Sequence, residues 1–471
     1  MKKINKIYYA LILIVTLTVF GVLCYYCYTS KVYIDINGEK IELNILDNKA
    51  IDLDTFNSND DVIITKLNGI GNVIIDGNKL KNGDSINIGK IKIGRDNKIG
   101  LVVKKLFIKH TFEINTLSST FPKYSSYGES NYEGDYYLTT FSMNYTGDHY
   151  IFILNKQGKI TYYKKTNMVS FDFTAHKNKK GEIRYMYLEG KKPNFEGATS
   201  IVGCELVVLD AKYNEIDRIK YLNKDGTYSL LDNHTYMYID DEHYILTSYT
   251  LRKIEDKNVE VLDCLIHEIK DGKVIWEFNS GDYPELYDCS TVEGKDYIHI
   301  NSIDLDKDDG NIICSFRNID ALIKLDRKTG QIMWMLGGKK DEFNLSNEEK
   351  FSKQHSWISI GNNTYFVYDN GNENRRTRIV KFVLDEKNKK VIEYKEYDTN
   401  IYAVMMGSIR IIDLDKQVNL ICYGGKITKT NTNFRNIYLV EEINFATNKL
   451  EFGFTFLDGH QIYNANKIDI N

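Results

Sequence analysis

The alternation of hydrophobic and polar positions divides the chain into three parts. The first is an apolar run of 22 residues, "IYYALILIVTLTVFGVLCYYCY", which follows three lysines. From residue 31 onward, apolar residues alternate with polar ones in short runs that are separated by Asn, Asp and Gly. Such runs are typical of half-buried β-strands joined by tight turns. The pattern therefore predicts one apolar helix followed by a body made of strands.

The apolar run is long enough to cross a membrane, whose hydrocarbon core is about 30 Å thick. Lys2, Lys3 and Lys6 precede it, and a basic flank favours the cytoplasmic side. A cleaved signal would need a shorter apolar core and small residues at the cut, and Cys24 lacks the small preceding residue of a lipoprotein site. We expect residues 1–30 to be an uncleaved single-pass anchor in the cell membrane, with the rest of the chain outside the cytoplasm.

Residues 31–117 predict a small β-sandwich. The strand-like runs are "VYIDI", "KIELNIL", "DVIITKL", "NVIIDG", "SINIGKIKI" and "LVVKKLFIKHTFEI". Since no group of reactive side chains accompanies them, the roles open to this domain are packing, spacing and contact within a homodimer.

One hairpin pattern recurs through residues 118–471. Its copies begin at residues 150, 204, 264, 321, 378 and 437, so the steps between them are 54, 60, 57, 57 and 59 residues. A nearly fixed period of this length indicates a repeat architecture. A second hairpin precedes each later copy, for example "HINSIDLDKDDGNIICSFRN" before residue 321. Each unit thus has four antiparallel strands, as a propeller blade does. We predict an all-β fold, in which a six-bladed β-propeller follows the sandwich and the transmembrane helix.

Histidines stand at the same place in four of these repeats. In the predicted propeller each first strand lines the central axis, and we expect it to begin at His176, His234, His299 and His355. Residues about 60 apart in sequence would then converge on one point. Asn301 lies one strand period after His299, and the second strand of the same blade ends at Arg317 and Asn318, which brings these three residues to the same face.

Composition excludes several other functions. The formal charge is −4 and no run of five like charges occurs, so we expect no nucleic-acid partner. Five scattered cysteines follow the apolar run and form neither a metal-binding nor a disulfide framework. The segment "DLDKDDG", residues 304–310, has the aspartate spacing of a calcium loop, but it occupies the turn at the opposite end of its blade. We interpret it as a polar hairpin turn.

The converging residues allow three interpretations. They are structural side chains, a metal site or a site for covalent transfer of an anionic group. A metal site is disfavoured because the set contains no evident Asp or Glu ligand and because Arg317 places a fixed positive charge there. In covalent transfer, a neutral histidine attacks while Arg, Asn and the other histidines hold the charged oxygens. The chain contains no Walker-type loop and no convincing dinucleotide fingerprint, so a nucleotide donor is not expected, and neither is another cofactor.

Several segments resemble the bacterial arylsulfate sulfotransferases, which do not use a nucleotide sulfate donor. These segments are "FEINTLSSTFPKY", "DYIHINSID", "SFRN", "ALIKLDRKTGQIMWMLGG", "FSKQH" and "YDNGN", in this order between about residues 110 and 425. The resemblance implies a sandwich followed by a six-bladed propeller. It also implies transfer of a sulfuryl group from an aryl sulfate ester to an acceptor phenol through a sulfohistidine, in a ping-pong mechanism.

The resemblance also assigns roles to residues. It places the nucleophile at His355, the H-x-N pair at His299 and Asn301, the sulfate-binding arginine at Arg317 and a further histidine at His234. Asn301 and Asn318 are expected to bind substrate. His176 receives no role, and either His299 or His234 would exchange the phenolic proton. The alternative is an anchored propeller that binds an anion or a sugar without turnover.

Overall fold

The computed structural model describes residues 2–46, 51–52, 55–57, 61–90, 98–142, 146–193, 195–198, 200–431 and 435–470, and the structural statements below concern these residues. The chain is mostly β and divides into two compact units. One comprises Met1–Phe121 with Ile160–Lys164, and the other comprises Pro122–Lys159 with Lys165–Asn471.

The apolar run forms a helix, Lys2–Thr29. Its segment Lys6–Thr29 spans 24 residues with a mean hydropathy of 2.4, and none of it is buried. The Thr16 hydroxyl donates a hydrogen bond to the carbonyl of Ile12, so this polar group is satisfied within the helix. The helix has the length and composition of a membrane span, and a signal sequence has the same two properties.

The first unit contains two sheets of mainly antiparallel strands. The first sheet has the order Glu39–Leu43, Val32–Ile36, Asp61–Gly69 and Ser85–Lys90. The second has the order Ile51–Asp52, Ile108–Asn115, Lys98–Lys105, Asn72–Ile75 and Asn78–Leu80. A short strand, Thr55–Asn57, pairs with residues 162–164. Alternate residues of the strands are buried, as Val32, Ile34 and Ile36 are, so the period of two predicted from the sequence is confirmed here.

The second unit contains six sheets of four or five strands and one two-stranded sheet, and the two predicted hairpins of each later repeat together form the strands of one larger sheet. The first of the larger sheets contains Asn466–Ile468, Asp135–Thr139, His149–Leu154 and Ile160–Thr166, of which residues 160–164 group with the first unit, and the second contains Val169–Lys177, Ile183–Pro193, Val202–Leu209 and Glu215–Ile219. The third contains Tyr236–Asp240, His243–Ile254, Val259–Lys270 and Lys273–Asn279, and the fourth contains Ile300–Leu305, Ile312–Phe316, Ala321–Leu325 and Ile332–Gly337. The fifth contains Ser356–Gly361, Thr364–Asp369, Thr377–Asp385, Lys390–Met405 and Gly425–Lys429, and the sixth contains Ser408–Asp413, Val418–Cys422, Val440–Asn444, Lys449–Phe456 and Tyr124–Gly128. Shorter elements are the strand pair Tyr221–Leu222 and Tyr228–Ser229, the 3₁₀ turns Ser280–Asp282 and Arg317–Ile319, and the helix Glu285–Asp288.

The first strands of successive sheets contact one another. Ile300–Leu305 lies between Tyr236–Asp240 on one side and Ser356–Gly361 on the other, and Ser356–Gly361 in turn contacts Ser408–Asp413. The last sheet closes through Tyr124–Gly128, which pairs antiparallel with Lys449–Phe456. The innermost strands are therefore neighbours although they are far apart in sequence.

Large apolar side chains fill the space between sheets. Trp334 of the fourth sheet contacts Phe343 edge to face and packs near Tyr365 of the fifth sheet, with ring centroids 5.5 and 6.2 Å apart. Beside them lies a buried ammonium group, that of Lys324, whose side chain is 1% exposed.

Lys324 occupies the position that a cation would take in the aspartate-rich turn. Its Nζ lies 2.7 Å from Asp306, 2.8 Å from Asp309 and 2.8 Å from Glu386. The turn joins Ile300–Leu305 to Ile312–Phe316, so the prediction of a polar hairpin turn is confirmed.

Candidate active site

Three histidines meet where the first strands begin. His234 and His299 form an edge-to-face pair with ring centroids 4.5 Å apart, and His355 lies 6.2 Å from His234. His299 and His355 directly precede their first strands, and His234 lies two residues before Tyr236–Asp240. All three are buried. The convergence expected from the sequence is therefore present for these three residues.

Each of the three rings is held at Nδ1 by an oxygen acceptor. His355 is 2.9 Å from the carbonyl of Gly407, His299 is 2.5 Å from a carboxylate oxygen of Asp296, and His234 is 2.8 Å from one of Asp232. A carbonyl or carboxylate oxygen only accepts, so each Nδ1 carries the proton in a neutral ring. The Nε2 atom of each ring then keeps its lone pair, which is the condition for a nucleophile or a base.

Burial favours the neutral form of His355 and of His299. It lowers the pKa of His355 well below its ordinary value, and the nearby charges of His234, His299 and Arg317 act in the same direction against the bond to Gly407. Burial also lowers the pKa of His299, although Asp296 opposes this shift. Near pH 7 the His355 ring is therefore uncharged.

Arg317 supplies a positive charge to the same region. It follows Ile312–Phe316, and its backbone N–H donates to the carbonyl of His299 at 2.8 Å. Nη1 donates to Asn318 at 2.9 Å, while the amide of Asn318 donates to the carbonyl of Asp296 at 2.6 Å. Burial lowers the pKa of Arg317. Within the described part of the chain Arg317 makes no ion pair, so its guanidinium retains donors for an anionic ligand.

A cavity of about 330 Å³ adjoins this arginine, and we call it the Arg317 cavity. Its volume is at the lower end of the range of small-molecule sites. Polar groups line one part and apolar side chains line the rest. The lining residues are Ser200, Asn233, His234, Asp296, His299, Arg317, Asn318, His355, Phe141, Phe171, Met405, Met406 and Tyr463. The cavity therefore suits a ligand with an aromatic body and an anionic end.

Tyr463 contacts the histidines from a distant part of the chain. Its ring is 5.2 Å from His355 and 5.3 Å from Phe171, both edge to face. Its hydroxyl donates to the carbonyl of His234 at 3.4 Å. Sequence reasoning missed Tyr463, because it lies outside the histidine series.

The segment that holds His355 is itself fixed by hydrogen bonds. The side-chain amide of Asn370 donates to the carbonyls of Ala403 and Met406 at 2.8 and 3.1 Å. Gly407 follows with φ of +102°, and a Cβ there would lie 2.6 Å from the ring of Tyr368. Glycine is therefore required at the position whose carbonyl orients His355.

A second cavity, of about 310 Å³, lies on the other side of the histidines and shares His234, His355 and Tyr463 with the first. We call it the Asp172 cavity. The carboxylate of Asp172 accepts hydrogen bonds there from Asn464 at 2.6 Å and from Asn466 at 3.3 Å. Burial raises the pKa of Asp172.

His176 lines the Asp172 cavity and not the Arg317 cavity, which corrects one prediction. His176 stands near the end of the strand Val169–Lys177 and not at its start. Its Nε2 lies 2.8 Å from the hydroxyl of Thr174, and its ring is 5.0 Å from Tyr238. The strand begins at Val169, whereas His299 and His355 directly precede their strands, so the histidine of this repeat is not at the equivalent position.

Asn301 also faces the Asp172 cavity. Its amide donates to the carbonyl of Gln354 at 2.7 Å, and its buried Oδ1 has no hydrogen-bond partner among the described residues. The amide of Gln354 in turn bonds Ser315, Phe316 and Ala321. Asn301 thus contacts the residue before His355.

Asp232 and Asp296 are the carboxylates that sequence reasoning missed. The only sequence signal was their spacing, two and three residues before a histidine, in "DNH" and "DYIH". Both carboxylates bond a histidine Nδ1, and in the described residues no group of three or more His, Cys, Asp or Glu is arranged to hold a metal ion.

Comparisons with known proteins place the chain in a family. Residues 123–464 match the arylsulfotransferase (ASST) family, whereas a comparison with curated proteins found no significant match. A solved structure that resembles the chain is a protein of unknown function from Bacteroides caccae, with 13% identity, a TM-score of 0.41 and coverage of 71% of this chain and 99% of that one. Another is a putative 6-phosphogluconolactonase from Bacteroides uniformis, with 12% identity, a TM-score of 0.38 and coverage of 71% and 99%.

A third is the periplasmic gluconolactonase PpgL of Pseudomonas aeruginosa, with 9% identity, a TM-score of 0.32 and coverage of 72% and 99%. The matched residues 123–464 include the three histidines, Arg317 and Tyr463, and by this match the chain belongs to the arylsulfotransferase family.

Proposed function

We propose that this protein transfers a sulfuryl group from an aryl sulfate ester to an acceptor phenol, with His355 as the nucleophile. The observation that carries the proposal is the neutral His355 ring, held at Nδ1 by a carbonyl, in a cavity that also contains an arginine without an ion pair in the described chain. An anion binder would use Arg317 but would have no need of an unprotonated histidine beside it.

In the first half-reaction, Nε2 of His355 attacks the sulfur of the donor. An N–S bond forms, the bond between sulfur and the aryl oxygen breaks, and the phenolate leaves with that electron pair. Arg317 holds the sulfuryl oxygens, on which negative charge is spread, by analogy with a loose phosphoryl-transfer transition state. The aromatic part of the donor packs against Phe141 and Phe171.

The second half-reaction reverses these events with a new phenol. The acceptor oxygen attacks sulfur, the N–S bond breaks and His355 recovers its lone pair. A base must take the acceptor's proton, and a neutral histidine with a free Nε2 lone pair can do so. Both His299 and His234 have Nδ1 on a carboxylate and Nε2 available, so either one takes this proton, and the phenolate released in the first step is protonated by solvent. Asn318 positions Arg317, and Asn301 positions the chain before His355.

We further propose that the six sheets of the second unit are the blades of a propeller and that residues 31–117 form a sandwich. The contacts between successive first strands and the pairing of Tyr124–Gly128 with Lys449–Phe456 support the closed ring. The domains are then the anchor at 1–30, the sandwich at 31–117 and the propeller at 118–471, with the propeller outside the cytoplasm. A soluble form whose N-terminus lies near residue 30 would contradict the anchor.

The test is intact-mass spectrometry of the protein mixed with a chromogenic aryl sulfate and no acceptor. A sulfuryl adduct on His355 and stoichiometric phenol release are expected, with ping-pong kinetics once an acceptor phenol is added. Turnover without any adduct would overturn the covalent mechanism.

Two controls separate this proposal from its alternatives. His355→Ala should lose turnover by a factor of about 10³ or more while remaining folded, whereas His110→Gln in the first unit should not change the rate. EDTA should leave activity intact. If the histidines instead bound a metal, the chelator would remove the metal and activity would be lost with it. Tight aryl sulfate binding without phenol release would favour the binding protein instead.

A further inference from the structure

An exposed apolar hairpin tip lies in the first unit. Leu106, Phe107 and Ile108 join the strands Lys98–Lys105 and Ile108–Asn115, and their exposed fractions are 49%, 83% and 42%. Among the described residues Phe107 is the most exposed large hydrophobic side chain, and soluble surfaces seldom present three such residues in a row.

The tip lies next to the end of the apolar helix. The helix ends at Thr29, and the ammonium group of Lys105, directly before the tip, donates to the backbone carbonyl of Ser30. Lys105 Nζ also lies 3.2 Å from the hydroxyl of Ser30. The hairpin tip and the point where the chain leaves the helix are thus joined by hydrogen bonds.

A second turn at the same end adds another apolar side chain. Ile70 is 42% exposed, and Gly71 after it lies so close to Lys105 that a Cβ there would be 2.7 Å from the Cγ of Lys105. Lys66 donates to the carbonyl of Gly71 at 2.7 Å and holds this turn in place. The turn and the hairpin tip therefore form one patch around the helix end.

The helix indicates what covers this patch. Lys6–Thr29 has 24 residues, which at 1.5 Å per residue extend about 36 Å, slightly more than a bilayer core of about 30 Å. With the helix in a bilayer, the residues that follow Thr29 lie at the level of the lipid headgroups. Lys104 and Lys109 flank the tip and are exposed, as basic residues near lipid phosphates are.

We propose that Leu106, Phe107, Ile108 and Ile70 insert into the interfacial layer of the same membrane that holds the helix. The first unit then contacts lipid directly as well as through its anchor. The patch has four side chains, whereas a stable protein interface takes about 20–30 residues a side, which favours lipid over a protein partner. The proposal does not depend on the sulfuryl transfer.

The experiment uses the full chain with Phe107→Trp, reconstituted into phosphatidylcholine and phosphatidylglycerol vesicles. The native Trp276, Trp334 and Trp357, which are buried in the second unit, also emit. The emission of the unaltered chain is therefore subtracted. The new tryptophan should emit at shorter wavelength than in detergent and be quenched by brominated lipids. Bromine near the top of the acyl chains should quench more than bromine near their ends, since interfacial side chains lie about 5–10 Å deep.

The matched control is Ile63→Trp. Ile63 is 45% exposed, and its carbonyl accepts from Asn37, at the end of Val32–Ile36 that is away from the helix. It should show no quenching. Adding Leu106→Ser and Ile108→Ser to Phe107→Trp should reduce the quenching while the thermal unfolding of the chain, which reports folding, is unchanged.

Three results would overturn the proposal: equal quenching at residues 63 and 107, an unquenched tryptophan at 107 in vesicles, or failure of the chain to enter vesicles. A shift to shorter wavelength without quenching would mean that protein, and not lipid, covers the tip.

Discussion

At the scale of single residues, Arg317 has the most direct consequence for turnover. Arg317→Ala should lower kcat/KM by a factor of about 30–1000, because a fixed cation at developing charge is worth roughly 2–4 kcal/mol. Arg317→Lys keeps the charge but loses the planar fork, so an intermediate loss is expected. Steady-state kinetics with a chromogenic aryl sulfate measures both. Arg375→Ala, an exposed arginine, is the control, and full activity of Arg317→Ala would exclude this residue from the site.

The sequence predicted the three converging histidines because strand starts recur at a fixed period. The carboxylates beside them follow no such period. Asp232 and Asp296 lie in the loops before the strands, where neither alternation nor repeat spacing reports which way a side chain faces. Tyr463 was missed for a similar reason, since its contact with His355 depends on how the last residues of the second unit cross the histidines.

At the scale of elements, the turn before Ser408–Asp413 controls the orientation of His355. Gly407→Ala should destabilise the protein and slow turnover, because the new Cβ would overlap the ring of Tyr368 and displace the carbonyl that orients His355. The control is Gly226→Ala, at φ of +83°, where a Cβ would meet no heavy atom within 4 Å. It should cost about 1–2 kcal/mol from backbone strain alone, without a change in kcat. Thermal unfolding and kcat, measured on both variants, test this; equal effects would contradict it.

The buried Lys324 joins two neighbouring sheets. It lies on Ala321–Leu325, whereas its partner Glu386 follows Thr377–Asp385 in the next sheet. Lys324→Met should lower the free energy of unfolding by about 3–5 kcal/mol, because the carboxylates that remain are partly buried without a counter-ion.

Lys381→Met provides the comparison for Lys324→Met, since Lys381 makes a half-exposed pair with Glu393 and should cost only about 0–1 kcal/mol. Chemical unfolding of both variants measures the difference. Equal stability losses would mean that Lys324 is not the structural counter-ion.

The elements were predictable to the extent that the repeat kept its register. Each predicted hairpin of the second unit is present, and so is the polar turn at 304–310. The placement of His176 failed because its strand begins at Val169, well before the histidine, so this histidine does not take the position that His299 and His355 occupy. The alternation of apolar residues marks a strand but does not fix where it begins.

At the scale of the whole molecule, pH should affect stability and activity differently. Burial lowers the pKa of His176 from 6.5 to about 4, so between these values the unfolded chain binds a proton that the folded chain excludes. Stability is therefore lost as pH falls through this range, by about 2–3 kcal/mol for this group at pH 4.5. His176→Gln should show a smaller loss between pH 7 and 4.5 than the unaltered chain, by thermal unfolding.

The rate of sulfuryl transfer should not follow the loss of stability at low pH, because the pKa of His355 lies well below its ordinary value and the nucleophile stays neutral. The initial rate of the folded enzyme should not fall as pH drops through 6.5. For stability, the contrary result is a difference between the unaltered chain and His176→Gln that is the same at pH 7 and at pH 4.5. It would show that His176 is protonated in the folded state.

The pairing of Tyr124–Gly128 with Lys449–Phe456 also sets an order of events during synthesis. At about 5–20 residues per second, the earlier strand waits roughly 15–65 s for its partner to be made. Throughout that interval its edge is unpaired, and an unpaired edge invites association with other chains. Tyr463 is translated later still, so the contact between this ring and His355 forms only after residue 463 has emerged from the ribosome. A shorter nascent chain lacks the ring that packs against the proposed nucleophile.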